Sequence, residues 1–148
     1  MTEEQVTKAI LNSLIIKDWK ILTYDFPQSG SGKILHSNEI SSKKNKGGIV
    51  PDIVAIKDNI CLFFENKDRV DINDFQKVFS LISNNQYSNA ISTLLKDYNI
   101  KQIYYGIGFP SEKWNQQAAT NVSLVDFVIG VSDDKHIEFL YNLHKLTI

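Results

Sequence analysis

The stretch GGIVPDIVAIKDNICLFFENKDR, residues 47–69, contains two apolar runs, 50–57 and 60–67, separated only by Asp58 and Asn59. Both of these residues tolerate the positive φ of a tight reversal, so the runs read as the two strands of a hairpin. Pairing Lys57 with Ile60 sets the register, and a four-residue loop centred on the same two residues gives the same one. Asp52 then stands directly opposite Glu65, with Cβ atoms about 5 Å apart. The period of two puts Lys67 on the same face as Glu65. A strand that is wholly apolar from residue 60 to 64 therefore ends on an acid and a lysine that face a second acid. Opposed like charges destabilise a sheet and drive one carboxyl pKa upward unless a cation stands between them. Mg²⁺ answers that need, since it takes hard oxygen ligands from one or two carboxylates and keeps several waters. The competing reading makes Asp52 a polar strand opening and Glu65–Lys67 a surface ion pair.

Outward from the hairpin the hydrophobic period alternates between helix and strand, as in a single mixed α/β domain covering residues 1–148. Upstream, Thr2 and Gln5 form a capping box, and Val6, Ile10 and Leu14 recur on one face, predicting a helix to about Lys17. Residues 19–26 alternate as a strand, 27–33 break the pattern, and 34–40 suit a short second strand. SSKKNKGG, residues 41–48, has nothing to bury and reads as an exposed loop. Downstream, Phe75, Val78, Phe79 and Ile82, then Ala90, Ile91, Leu94 and Leu95, follow helical spacing with a break at Ser83-Asn84-Asn85. KQIYYGIGF, residues 101–109, and residues 124–131 read as further strands. Ile137, Leu140, Tyr141 and His144 suit one face of a closing helix.

Composition narrows the function classes. The chain has 148 residues, 43% of them hydrophobic, which is enough for one packed core. Its single cysteine, Cys61, excludes an internal disulfide and a cysteine-rich zinc site and favours a reducing, cytoplasmic setting. No apolar run is long enough for a membrane span, and the acidic amino terminus does not resemble a signal peptide. With a net charge of −1 the molecule has no general attraction for nucleic acid, so any such attraction must be local. SGSGK, residues 29–33, lacks the first glycine and the closing Ser or Thr of a phosphate loop. His36, His136 and His144 have no metal-ligand spacing.

Pro51-Asp52, twelve residues, then Glu65-Asn66-Lys67 at the end of an apolar strand resembles the PD-(D/E)xK nuclease signature of type II restriction endonucleases and Holliday junction resolvases. The surrounding order of elements is similar to that superfamily's αβββαβ core, a central mixed sheet flanked by helices, over about residues 2–109. The resemblance implies Mg²⁺, with Mn²⁺ able to substitute, held by Asp52, Glu65 and the backbone carbonyl of Asn66. It implies Asp52, Glu65 and Lys67 as catalytic residues, the lysine orienting or activating the attacking water. Such nucleases often recruit an acid from the first helix or an upstream strand, which brings in Glu3, Glu4 and Glu39; acids in a first helical turn are also explained by the helix dipole. Lys77 or Gln76 on the following helix are further candidates.

The expected function is a Mg²⁺-dependent endonuclease acting on double-stranded DNA, restriction-endonuclease-like. A structure-specific Holliday junction resolvase and a non-catalytic DNA-binding or scaffolding subunit are the alternatives. Lys43, Lys44 and Lys46, just upstream of Asp52, are expected to meet phosphates near the scissile bond, a solvated lysine run being the other reading. One such centre cuts one strand, so a homodimer is expected for duplex cleavage, with residues 136–148 contributing to the contact. No membrane partner is expected.

Overall fold

This computed structural model describes residues 1–27, 32–38 and 48–148. The first helix, α1, spans Glu3–Ile16 and begins at the expected capping box: the Thr2 hydroxyl accepts from the Gln5 amide and the Gln5 side chain accepts from the Thr2 amide. Val6, Ile10 and Leu14 are fully buried. The chain then enters a meander of β1 (Lys20–Tyr24), β2 (Ile53–Lys57) and β3 (Ile60–Asn66), all antiparallel. The β2–β3 ladder runs from Lys57↔Ile60 to Ile53↔Phe64, the register read from the sequence, and Asp58 takes the positive φ of the turn at 53°.

After β3 the chain crosses over through α2 (Ile72–Ser83), a 3₁₀ turn at Asn85–Tyr87 and α3 (Ser88–Leu95), and returns as β4 (Gln102–Pro110), parallel to β3. The helical break expected at residues 83–85 falls at this 3₁₀ turn, where Asn84 caps the Gln86 amide. A short α4 (Gln116–Asn121) leads to β5 (Phe127–Val131), parallel to β4, and β6 (Ile137–Asn142) closes the sheet antiparallel to β5. The described residues thus form one six-stranded mixed sheet in the order β1-β2-β3-β4-β5-β6.

Two cores sandwich this sheet, each following from strand alternation. On one face Val6, Ile10 and Leu14 of α1 meet Ile53, Leu62, Phe64, Phe127 and Ile129. On the other, Phe75, Val78, Leu95 and Ala118 meet Val54, Ile56, Cys61, Phe63 and Phe109. The period of two therefore points Asp52 and Glu65 toward the α2 face and Asn66 toward α1.

Two expectations need correction. The closing helix is instead the strand β6. A bulge between its Phe139 and Tyr141 pairings puts Ile137 and Phe139 against the α1 core and both Leu140 and Tyr141 against the other. The inserted residue turns a period of two into an apparent i, i+3, i+4 pattern, which imitates a helix. The short second strand reduces, among the described residues, to a single bridge between Leu35 and Ile49. Residues 39 and 40 of that expected strand lie outside the described residues.

Candidate active site

Backbone hydrogen bonds gather the ends of four strands at one edge of the sheet. The Asp25 amide, just past β1, donates to the Asp52 carbonyl at 2.8 Å; the Asp52 amide donates to Phe64 at 3.0 Å; the Lys67 amide donates to Gly108 of β4 at 2.8 Å. The β2–β3 ladder ends one pair short of Asp52 and Glu65. There the Asp52 side chain takes over from the backbone, its Oδ2 accepting from the Asn66 amide at 2.6 Å. Asp52 and Glu65 are each only 8% exposed, an unusual burial for two acids on one face.

Around them stand two ammonium groups. Lys67 Nζ lies 3.0 Å from Glu65 Oε1, and Lys77 Nζ, from the second turn of α2, donates to the same oxygen at 2.8 Å. The N-terminal turn of α1 adds Glu3, whose Oε2 is 3.8 Å from Lys67 Nζ. Its neighbour Glu4 turns away and pairs with Lys8 one turn along the helix. Of the acids suggested for recruitment, the fold brings in Glu3 and leaves out Glu4. Glu39, together with Lys43, Lys44 and Lys46, lies outside the described residues. Gln76 is exposed beside Lys77.

The electrostatics follow from this crowding. Burial, then the charge of Glu65, pushes the Asp52 carboxyl up to about 7, against the hydrogen bond from Asn66 and the charge of Lys67. Burial opposes the charge of Lys67, but Glu65, with further help from Glu3 and Asp52, outweighs it and raises the ammonium pKa above its ordinary value. Asp74, in the first turn of α2, is raised by burial, with Lys67 opposing and Glu65 reinforcing. Carboxylates held at this density in a poorly solvated edge are suited to a hard divalent cation, which would relieve both the repulsion and the desolvation. Among the described residues no cluster of three or more His, Cys, Asp or Glu is poised as a metal cage.

Asn66 has a role that its place in the motif did not suggest. Its side chain is fully buried, its Nδ2 donates to Thr7 Oγ1 at 3.1 Å, and its Oδ1 has no described partner. Thr7 lies one turn beyond Glu3, so this bond ties α1 to the end of β3. Thr7 is a fully buried polar residue beside Val6 on the core face of α1, and that position was the available sequence signal. The histidines stay away from the site. His144 contacts Asp126 at 3.0 Å and stacks on Tyr104, while His36 and His136 are exposed.

No protein-family model matches this chain, and no curated protein gives a significant match.

Proposed function

We propose that this chain is a Mg²⁺-dependent DNA endonuclease of the PD-(D/E)xK kind, most like the catalytic core of a type II restriction endonuclease. The observation that carries the reading is the convergence of Glu3, Asp52, Glu65 and Lys67 from three separate elements at one end of the central strands. The observed order α1-β1-β2-β3-α2-α3-β4 supports it, since it matches the αβββαβ core that the motif implies once α2 and α3 are counted as one crossover.

In this reading Asp52 and Glu65 hold Mg²⁺, or Mn²⁺ in its place, with the backbone carbonyl of Asn66. The bound ion supplies a water of lowered pKa and neutralises charge on the non-bridging phosphate oxygens. Lys67 stays charged beside Glu65 and acts as a hydrogen-bond donor that orients the attacking water and the phosphate. Glu3 gives the lysine a second, longer ionic contact at 3.8 Å. The Asn66–Thr7 bond holds α1, and hence Glu3, against the end of β3. Attraction for duplex DNA comes from local cations, Lys67 and Lys77 at the site and Lys43, Lys44 and Lys46 a few residues upstream of Asp52 in the sequence, because the chain as a whole carries −1. Two copies, one for each strand, give the simplest route to duplex cleavage, and β6 at the sheet edge lies in the segment nominated for their contact.

Incubation with linear duplex, supercoiled plasmid and a four-way junction, with Mg²⁺ or with EDTA, tests the proposal. Mg²⁺-dependent cleavage of plasmid and linear duplex supports it. Cleavage confined to the junction would replace it with a resolvase, and binding without cleavage with a non-catalytic subunit.

A further inference from the structure

Glu65 Oε1 accepts from two lysines, and the two are held very differently. Lys67 leaves the end of β3 with its amide fixed to Gly108, its side chain is 25% exposed, and both Glu65 and Glu3 flank its ammonium. Lys77 stands on the surface of α2, its side chain is 46% exposed, and its described ion pair is with Glu65 alone. The PD-(D/E)xK motif accounts for one lysine, so the second needs a role of its own.

We infer that Lys77 is a displaceable counter-ion of Glu65 and, once displaced, a binding group for the phosphate of the DNA; this rests on the nuclease reading above. A cation on Glu65 competes with the Lys77 ammonium for the same oxygen. Displacement leaves that ammonium beside a site that now carries added positive charge, and the anion brought there is the substrate phosphate. The four-carbon stem is half exposed and has only to swing its head away from an oxygen 2.8 Å distant. Glu65 thus keeps an ionic partner in both states, and Lys67, pinned between Glu65 and Glu3, keeps its place.

Two readouts separate this role from simple support of Glu65. The variants are Lys77→Met, which keeps an unbranched apolar stem and removes the charge, and Lys77→Arg, which restores the charge. First, Mn²⁺ binding without DNA, followed by calorimetry, should tighten in Lys77→Met by up to about fivefold, the scale of a lost half-exposed ion pair. A residue that merely braced Glu65 would instead weaken metal binding when removed. Second, the salt dependence of duplex binding, measured in non-cleaving Ca²⁺, should flatten by about 0.9 in slope for Lys77→Met and return in Lys77→Arg, as for one phosphate contact. Weaker Mn²⁺ binding or an unchanged slope in Lys77→Met overturns the inference while leaving the nuclease reading intact. A wild-type protein that binds neither Mn²⁺ nor duplex overturns both.

Discussion

The Asn66 amide donates to Asp52 Oδ2 at 2.6 Å, and this bond holds the acid at the opening of β2 against the close of β3, although burial and the nearby Glu65 push its carboxyl up to about 7. In the unfolded chain the same group titrates near 3.8. Between those values the native state binds the proton that the unfolded chain has lost, so stability present at pH 4 is lost as pH rises toward 7. In EDTA the melting temperature should therefore fall from pH 4.5 to pH 7.5, with each pH unit in that window costing up to about 1.4 kcal/mol. Asp52→Asn, which can still accept from the Asn66 amide, should flatten this slope and melt higher than wild type at pH 7.5. A variant with the wild-type slope would mean that Asp52 is not the group responsible.

Glu3 and Glu4 are adjacent acids in one helical turn with different fates, so exchanging each for glutamine gives an internal control. Glu3→Gln removes the second carboxylate flanking Lys67 and should lower the rate of Mg²⁺-dependent cleavage by about tenfold or more, as loss of an outer support at a metal site does. Glu4→Gln removes an exposed pair with Lys8 and a first-turn charge that favours the helix dipole, and should leave the rate unchanged, with a stability loss of about 1 kcal/mol. Equal effects from the two would dissociate Glu3 from the site.

Gly108 of β4 lies against Asn66 at the end of β3 and Ile10 of α1. A Cβ there would stand 2.5 Å from Asn66 Oδ1 and 2.5 Å from Ile10 Cδ1, both on fully buried side chains. Gly108→Ala should destabilise the fold by about 1–3 kcal/mol and, by pushing α1 away, should also reduce cleavage. Chemical denaturation reads the first effect and a plasmid assay the second. An unchanged denaturation midpoint would show that the α1–β3 contact yields without cost.

The hairpin was legible in the sequence because three signals agreed: Asp58-Asn59 as a turn, a period of two on either side, and polar residues that meet only in one register. The observed ladder has that register. The start of α1 was legible through Thr2 and Gln5 for the same reason, a local bond between neighbours in sequence. What was not legible depends on long-range placement. Glu3 and Glu4 are equivalent by any local rule, and only the packing of α1 on the sheet turns the first toward Lys67. Lys77 and Gln76 are equivalent candidates in the sequence, and only the docking of α2 over Glu65 selects Lys77. The carboxyl-terminal strand imitates a helix in the sequence because one bulged residue resets its alternation.

Conversion of supercoiled plasmid to nicked and linear forms, followed with Mg²⁺ or EDTA for wild type, Glu65→Ala and Lys67→Ala, tests the central claim most directly. Glu65 is buried and pairs with two lysines, so Glu65→Ala should melt below wild type, and the assay is run below the melting temperature of all three proteins so that each is folded when it is tested. The nuclease account predicts cleavage by wild type in Mg²⁺, none in EDTA, and none by either folded variant. Cleavage at the wild-type rate by either variant, or an intact plasmid with wild type in Mg²⁺, would contradict it.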